Sequence, residues 1–207
     1  MKIAFFTLGC KVNQYESQAM AERMVQCGYE VVSHDQKADI YVINSCTVTA
    51  ESDRKTRQTV RRFKRKNPDS VVVLTGCMPQ AFPKDAEALN EADIILGNKN
   101  NIRLPELIER FFSCSQRVIE IESHETGDKF VGDRISGFGG RTRAIVKIED
   151  GCNRFCSYCI IPYSRGRVRS KPIDELEAEL RRLSDAGFAE IVLVGINLSS
   201  YGSDIGL

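Results

Sequence analysis

The alternation of short apolar segments with helical segments through the first 112 residues restricts the fold of this chain most strongly. Apolar segments rich in β-branched residues predict strands at Lys2–Leu8, Glu30–Ser33, Asp39–Asn44, Ser70–Thr75 and Asp93–Leu96. Helical patterns lie between and after these strands, at Gln14–Cys27, Thr49–Lys66, Pro83–Asn90 and Asn101–Phe112. Strands and helices that alternate at this interval predict an α/β domain built on a doubly wound parallel sheet.

A cysteine comes just after three of the predicted strands. These residues are Cys10, Cys46 and Cys77, and each has a small residue before it. Because the carboxyl ends of parallel strands share one edge of the sheet, where ligands bind, we expect the three thiols to converge there as a metal-cluster site. The alternative is a set of unrelated core cysteines, since cysteine is often buried.

A break in composition separates this domain from the residues that follow. Residues 122–142 are polar and rich in glycine, with Gly137-Phe138-Gly139-Gly140 near their end, and they show no period. Such a segment predicts a linker between one domain at 1–121 and another at 143–207.

The residues after the linker predict a β–loop–α–β unit. A strand at Arg143–Ile148 leads into a cysteine-rich loop, and a helix at Ile173–Gly187 and a strand at Glu190–Val194 follow. This order predicts the start of a (β/α) barrel, whose chemistry lies on the loops after its strands. Because two strands cannot close a barrel and would leave exposed edges, we expect the sequence to be part of a longer protein.

The cysteine-rich loop carries a second group of thiols. Cys152, Cys156 and Cys159 have the spacing C-x3-C-x2-C, so all three can turn inward from one loop. Cysteine thiolates hold iron–sulfur clusters, and three ligands leave one iron of a four-iron cube open. The alternative is a zinc site or a structural trio. Zinc sites usually close with a fourth Cys or His, however, and both histidines of the chain lie upstream.

Composition argues against a membrane-spanning or disulfide-stabilised protein. The longest apolar runs, such as Asp69–Thr75, are far too short to cross a bilayer. Met1 leads directly into an apolar segment without a secretory signal, and the chain has 8 cysteines. Cysteine clusters in a reducing compartment indicate metal binding or catalysis, so we expect a cytoplasmic location and no membrane partner.

Basic residues are concentrated on the predicted helix Thr49–Lys66, with no acidic residue between Arg54 and Lys66. Such a concentration is typical of a phosphate-binding surface, which predicts RNA contacts that supply affinity but not base specificity. The alternative is an ordinary solvated helix face. The basic residues are Arg54, Lys55, Arg57, Arg61, Arg62, Lys64, Arg65 and Lys66.

Several segments together resemble one family, the radical S-adenosylmethionine methylthiotransferases. They are Leu8–Ser17, Asn44–Thr49, Gly76-Cys77, Gly151–Cys159, Pro162–Gly166 and Gly195–Gly202. The loop spacing, with Tyr158 just before the last cysteine, matches the radical S-adenosylmethionine signature. Within the family, the Gly9–Asn13 opening and the Cys46–Thr49 stretch resemble the MtaB type, which modifies N6-threonylcarbamoyladenosine at position 37 of tRNA.

The resemblance implies two [4Fe-4S] clusters, one on each cysteine trio, with S-adenosyl-L-methionine as a further cofactor. It also implies a radical S-adenosylmethionine barrel after the first domain, and tRNA and an electron donor as partners. Three alternatives stay open: isopentenyladenosine-37 as the substrate, a ribosomal protein aspartate as the substrate, and a non-catalytic iron–sulfur or zinc binding module.

Further polar residues near the matched segments are candidate cofactor contacts. Tyr158, Arg165 and Asn197 are predicted to contact S-adenosylmethionine, although Asn197 in a plain turn would look the same. For Arg165 and its neighbours Arg167 and Arg169, the alternatives are balancing cluster or carboxylate charge, touching RNA phosphates, or forming a solvated basic loop.

Two asparagines accompany the strand-end cysteines. Asn13 and Asn44 are predicted either to support the cluster through hydrogen bonds or loop geometry, or to cap the local structure.

Overall fold

The computed structural model describes residues 1–132, 135–137 and 142–207, so Phe138, Gly139 and Gly140 of the predicted linker lie outside the described residues. Within these ranges, six strands form one parallel sheet with the order β2-β1-β3-β4-β5-β6. The strands are β1 (Lys2–Thr7), β2 (Glu30–Val32), β3 (Ile40–Ser45), β4 (Val71–Gly76), β5 (Ile94–Leu96) and β6 (Val118–Glu120). The predicted parallel α/β sheet is confirmed, and β6 is a strand that the sequence analysis missed.

Helices cover both faces of this sheet, as a doubly wound arrangement requires. They are α1 (Lys11–Gln26), α2 (Ala50–Lys66), α3 (Cys77–Ala81), α4 (Pro83–Glu87) and α5 (Leu104–Cys114). Alternate residues of β3 point to opposite faces. Ile40 packs in a core cluster with α1 and α5, and Tyr41 packs in another with Phe63 of α2.

Register brings the carboxyl ends of the central strands level with each other. Thr7 of β1 pairs with Asn44 of β3, and Ser45 of β3 pairs with Gly76 of β4. The loops that leave β1, β3 and β4 therefore start side by side at the middle of one sheet edge.

The second part of the chain contains the expected β/α unit. Its elements are β7 (Arg143–Lys147), β8 (Glu149–Asp150), α6 (Ile161–Arg165), β9 (Arg169–Ser170), α7 (Ile173–Asp185) and β10 (Glu190–Val194). Strand β7 pairs in parallel with β10 across α7, and β8 pairs antiparallel with β9. This arrangement is consistent with the start of a barrel.

Helix α1 joins the two parts of the molecule, because one of its faces lies in a core cluster with the second unit. Val12 and Tyr15 pack there with Val146 of β7 and Leu183 of α7. The Tyr15 hydroxyl donates to Glu179 Oε1 at 3.0 Å, and Glu179 also pairs with the buried Lys171. The joint is therefore both apolar and ionic.

The described part of residues 122–142 is packed against both units. The His124 ring hydrogen-bonds Asn98 through Nε2 at 2.9 Å, and the fully buried Ile135 donates its N–H to Glu179 at 3.1 Å. The division into domains at 1–121 and 143–207 stays a prediction, and the segment between them lies along the joint where it is described.

Candidate functional site

The strand-end cysteines lie on neighbouring loops at the centre of the sheet edge. Cys10 follows β1, Cys46 follows β3, and Cys77 begins α3 directly after β4. Cys46 and Cys77 are buried, whereas Cys10 is exposed. A Cβ added to Gly9 would lie 2.9 Å from the Cβ of Cys46, so these two loops are in contact. The structure brings the three loops to one place on the sheet edge, and the role of their cysteines in metal binding stays a prediction.

Gly76 allows this close approach. Its φ is +99°, a conformation that side-chain-bearing residues rarely adopt, and an added Cβ would overlap the backbone of Ser45. The Ser45 hydroxyl donates to the Thr75 carbonyl at 2.6 Å and accepts from the Met78 N–H at 3.2 Å. The start of α3, and with it Cys77, is thus held against the end of β3.

Asn13 and Asn44 set the geometry of the same loops through mutual hydrogen bonds. Asn13 Nδ2 donates to Asn44 Oδ1 at 3.0 Å, and Asn44 Nδ2 donates to the Asn13 carbonyl at 3.0 Å. The Cys10 thiol donates to Asn13 Oδ1 at 3.2 Å. The prediction that Asn13 caps the helix is wrong, because α1 begins two residues earlier at Lys11.

The loop with the second trio is attached to the residues after α6. The Cys152 N–H donates to the Gly166 carbonyl at 3.0 Å, and Asn153 Oδ1 accepts from the Val168 N–H at 3.1 Å. Gly151 has a φ of +81°, and a Cβ there would overlap the Arg167 carbonyl. The direction in which the loop leaves β8 therefore depends on glycine.

The two cysteine-bearing regions meet where α3 packs against α6. Cys77 begins α3, and α6 starts two residues after Cys159. Asn98, which follows β5, donates its Nδ2 to the Ser164 carbonyl at 2.7 Å and so fixes α6 on the first unit. The helices next to the two groups of cysteines therefore pack against each other.

Within the described residues, the cysteines are not grouped as ligands of a single metal ion. All eight cysteines lie in the described ranges and are free thiols. In that part of the chain, no three His, Cys, Asp or Glu side chains are grouped closely enough to hold one ion. A four-iron cube takes each thiolate on a different iron, so its ligands stand further apart than those of one ion.

Arg165 is the positive charge beside the first trio. It is 1% exposed, and its Nη1 donates to Glu16 Oε1 at 2.8 Å and to Asp150 Oδ1 at 3.1 Å. Burial raises the pKa of the Cys77 thiol to about 11, while the charge of Arg165 acts in the opposite direction. Burial therefore disfavours the thiolate of Cys77, and the charge of Arg165 favours it; thiolate is the form of cysteine that binds metals.

Burial decides between the alternatives for the arginines after the loop. Arg165 and Arg169 are buried and face Asp150, so the solvated-loop interpretation is wrong for them and neither can reach RNA phosphates. Arg167 is exposed and stacks over the ring of Phe155, with its guanidinium carbon 5.1 Å from the ring centroid. Arg167 is therefore the arginine of this group that is accessible to a ligand.

Sequence analysis missed the acidic partners of Arg165. Glu16 comes from α1, and Asp150 ends β8; both also accept from the buried Lys147, at 3.0 and 3.1 Å. Burial by itself would raise the pKa values of both acids, but Arg165 and Lys147 hold them below their ordinary values. Lys147, which stands between the apolar residues Val146 and Ile148, was the available signal, because a buried lysine requires partners.

The other two predicted cofactor contacts have different environments. Tyr158 is 91% exposed, which leaves its ring free to contact a ligand. Asn197 lies in a turn, where its side chain bonds Ser199 and Ser200 at 2.9 and 2.6 Å, and its N–H donates to Glu149. The turn interpretation describes Asn197 as it stands, and a contact with S-adenosylmethionine stays a prediction for both residues.

Acidic residues from elsewhere neutralise part of the basic helix α2. Lys64 is bound to Asp93 at 2.9 Å and to a backbone carbonyl, and Arg61 pairs with Glu91 at 3.2 Å. Arg54 and Lys55 both face Glu51. The remaining cations are those that RNA phosphates could engage: Arg57, Arg62, Arg65 and Lys66.

A cleft of about 250 Å³ lies between the two cysteine-bearing regions. Gln80 of α3 lines one side, and Phe155, Tyr163 and Arg167 line another. The rings of Phe155 and Tyr163 meet edge to face at 5.8 Å. This wall combines aromatic faces with a cation, which is a combination that binds unstacked nucleobases.

In the described ranges, no helix combines the length and the apolar composition that a membrane-spanning segment needs.

Comparison with known proteins matches each unit separately. Residues 2–97 match the Uncharacterized protein family UPF0004, and residues 146–206 match the Radical SAM superfamily.

Curated relatives match along the whole chain. The threonylcarbamoyladenosine tRNA methylthiotransferase MtaB of Aquifex aeolicus is 40% identical, over 100% of this chain and 50% of that protein. The protein of the same name from Bacillus subtilis is 40% identical, over 98% of this chain and 45% of that protein. The tRNA-2-methylthio-N(6)-dimethylallyladenosine synthase of Carboxydothermus hydrogenoformans is 36% identical, over 96% of this chain and 46% of that protein. The chain spans about half the length of these relatives.

Proposed function

Because the chain belongs to the radical S-adenosylmethionine methylthiotransferase family and is similar to its MtaB-type members, we propose that the protein modifies tRNA. The reaction is addition of a methylthio group to C2 of N6-threonylcarbamoyladenosine at position 37. The observation that carries this proposal is the packing of α3, which starts with Cys77, against α6, which follows the loop of Cys152, Cys156 and Cys159. A tRNA substrate would place the enzyme in the cytoplasm.

Each trio would hold one [4Fe-4S] cluster. Cys152, Cys156 and Cys159 would bind the cluster that works with S-adenosyl-L-methionine, and Cys10, Cys46 and Cys77 would bind the second. When bound, the clusters would supply the electron that cleaves S-adenosyl-L-methionine and the sulfur that is transferred. The electron must come from a partner protein, so we include an electron donor in the proposal.

The residues of the chain would position and shield these groups. The buried side chains of Cys46 and Cys77 keep their sulfurs away from water, and the Arg165 charge favours thiolate at Cys77. The ionic and apolar joint around α1 holds the two trios at one separation. Fixed separation matters because correct placement of reacting groups supplies a large part of such a barrier.

Substrate recognition would use two surfaces. The cleft beside Phe155, Tyr163 and Arg167 has the aromatic and cationic wall that suits an unstacked adenine. The unpaired basic side chains of α2 would bind tRNA phosphates, with affinity that falls steeply as salt increases. Arg57 and Arg65 have no ionic partner among the described residues and are the leading candidates there.

Mass spectrometry of tRNA nucleosides tests the substrate. Cells that lack the intact gene should lose 2-methylthio-N6-threonylcarbamoyladenosine and accumulate the unmethylthiolated nucleoside. The parent gene should restore the product, whereas Cys77→Ala and Cys152→Ala should not. Unchanged levels of this nucleoside in the deletion strain would overturn the proposal.

A second candidate substrate is dimethylallyladenosine. The 36% identity to a synthase named for that nucleoside favours it. Loss of the 2-methylthio form of dimethylallyladenosine in the same deletion strain would favour this alternative over threonylcarbamoyladenosine.

A further inference from the structure

Arg165 is a residue of the second unit that lies buried against the sheet edge of the first. Helix α6 carries it and packs on α3, which begins with Cys77. The bond from Asn98 to the Ser164 carbonyl holds the neighbouring residue in place. The arginine is 1% exposed, so its guanidinium can only address groups inside this joint.

The guanidinium is anchored on one side and unsatisfied on the other. Nη1 and Nη2 donate to the two oxygens of Glu16 at 2.8 and 3.2 Å, and Nη1 also donates to Asp150. Among the described residues, the buried Nε–H has no acceptor. A buried donor without a partner is costly, so an acceptor is expected at this position when the site is complete.

Packing indicates where that missing acceptor is expected. Helix α6 packs on α3, whose first residue is Cys77, and the two carboxylates that face the guanidinium already accept from its Nη atoms. The sulfur-bearing edge of the first unit is therefore where an acceptor for the Nε–H is expected.

On the basis of the proposed function, we propose that Arg165 is a positioning residue for the cluster on Cys10, Cys46 and Cys77. Its Nε–H donates to a sulfur of that centre, either the Cys77 thiolate or a bridging sulfide, while Glu16 and Asp150 hold the guanidinium still. A hydrogen bond to sulfur and a nearby positive charge both favour the reduced cluster, so Arg165 raises its reduction potential. The arginine also makes the potential of one cluster depend on docking of the other cluster's domain.

Redox titration of a protein with only this cluster tests the proposal. The full-length protein with Cys152, Cys156 and Cys159 replaced by alanine is reconstituted with iron and sulfide and titrated with electron paramagnetic resonance detection. Adding Arg165→Lys should make reduction about tenfold less favourable, about 59 mV for a one-electron couple. Lysine retains the positive charge but has no guanidinium Nε–H, so the fall in reduction potential reports the loss of the hydrogen bond.

Arg167→Lys in the same background is the matched control, because Arg167 is exposed and two residues away. It should leave the potential unchanged. Equal potentials in the Arg165→Lys, Arg167→Lys and parent proteins would overturn the proposal and leave the proposed function standing. Failure of the triple-alanine parent to assemble any cluster would overturn both.

A spectroscopic measurement covers the case in which Arg165→Lys does not assemble a cluster. Protein labelled with ¹⁵N-arginine should show a ¹⁵N hyperfine coupling to the reduced cluster, and Arg167→Lys should retain it. Absence of arginine coupling in the labelled parent would overturn the proposal without any variant at position 165.

Discussion

Replacement of Glu16 by glutamine should loosen the joint between the two units of the molecule. Glu16 Oε1 accepts from Lys147 at 3.0 Å and from Arg165 at 2.8 Å, and the carboxylate is 4% exposed. Glutamine has nearly the same shape. It lacks the negative charge, however, and it replaces one accepting oxygen with an amide NH2 that would face the donors of Lys147 and Arg165.

The expected loss is about 3 kcal/mol of unfolding free energy. Removal of one member of a buried ion pair typically costs about 3–5 kcal/mol, because the remaining charge is uncompensated. In the parent, Glu16 and Asp150 face Lys147, Arg165 and Arg169; in the variant, Asp150 faces these cations alone. Asp150 still bonds both Lys147 and Arg165, which places the loss at the lower end of that range.

Urea unfolding of the cluster-free chain, with reductant present and circular dichroism as the signal, measures this loss. Glu190→Gln is the control, because Glu190 pairs with Arg143 at 2.6 Å on the surface. The surface bond is shorter than those of Glu16, yet exposed pairs contribute at most about 1 kcal/mol. Burial of the ion pair, and not the distance between its atoms, should therefore decide which variant loses more unfolding free energy.

Acidity should remove the difference between the Glu16→Gln variant and its parent. Burial by itself raises the pKa of Glu16, but Arg165 and Lys147 lower it below its ordinary 4.5. A carboxyl with a lowered folded-state pKa stabilises the protein above its unfolded-state pKa, and this contribution disappears as pH falls through the folded-state value. The gap should be full at pH 7 and shrink below about pH 4.5. If Glu16→Gln lost less than about 1 kcal/mol of unfolding free energy at pH 7, as little as Glu190→Gln, the reasoning would be refuted.

Three further predictions concern other parts of the joint. Gly76→Ala should destabilise the chain by about 1–3 kcal/mol in urea, because a positive φ and a Cβ overlap with Ser45 both oppose alanine. Reconstituted full-length protein should then hold about four irons per chain instead of about eight, one cube fewer. Burial, reinforced by Arg169, lowers the pKa of His124 to about 4, so melting temperature should fall as pH drops from 6.5 to 4 in the parent but less in His124→Gln. Tyr15→Phe should cost about 1–3 kcal/mol in urea, since the buried Glu179 carboxylate loses the hydroxyl donor and keeps the Ile135 N–H at the same oxygen.

Each of these predictions has a specific contrary result. Full iron loading of Gly76→Ala would show that the close approach of the two loops is not required for the second cluster. Parallel pH profiles of the parent and His124→Gln would show that His124 is not the titrating group between pH 6.5 and 4. An unchanged urea midpoint for Tyr15→Phe would mean that Glu179 is satisfied without the hydroxyl.

The alternating pattern of the first 112 residues was enough to predict the parallel sheet and the strand-end positions of Cys10, Cys46 and Cys77. Both follow from local periodicity and from the geometry of parallel strands, which depend little on distant parts of the chain. Strand β6 and helix α3 were missed because neither has a clear apolar pattern: β6 buries only Val118, and α3 contains Pro79 and starts directly after β4.

Tertiary structure alone decided the roles of the charged residues. The sequence left open whether Arg165 contacts a ligand, balances charge or lies in a solvated loop, and only the fold bonds it to Glu16, 149 positions away in sequence, in a buried joint. Lys64 looked like an RNA contact until Asp93, 29 positions away, was found beside it. Sequence periodicity does not reveal the ion-pair partner of a charged residue. Whether the residue is solvated or buried depends on which distant segment folds against it.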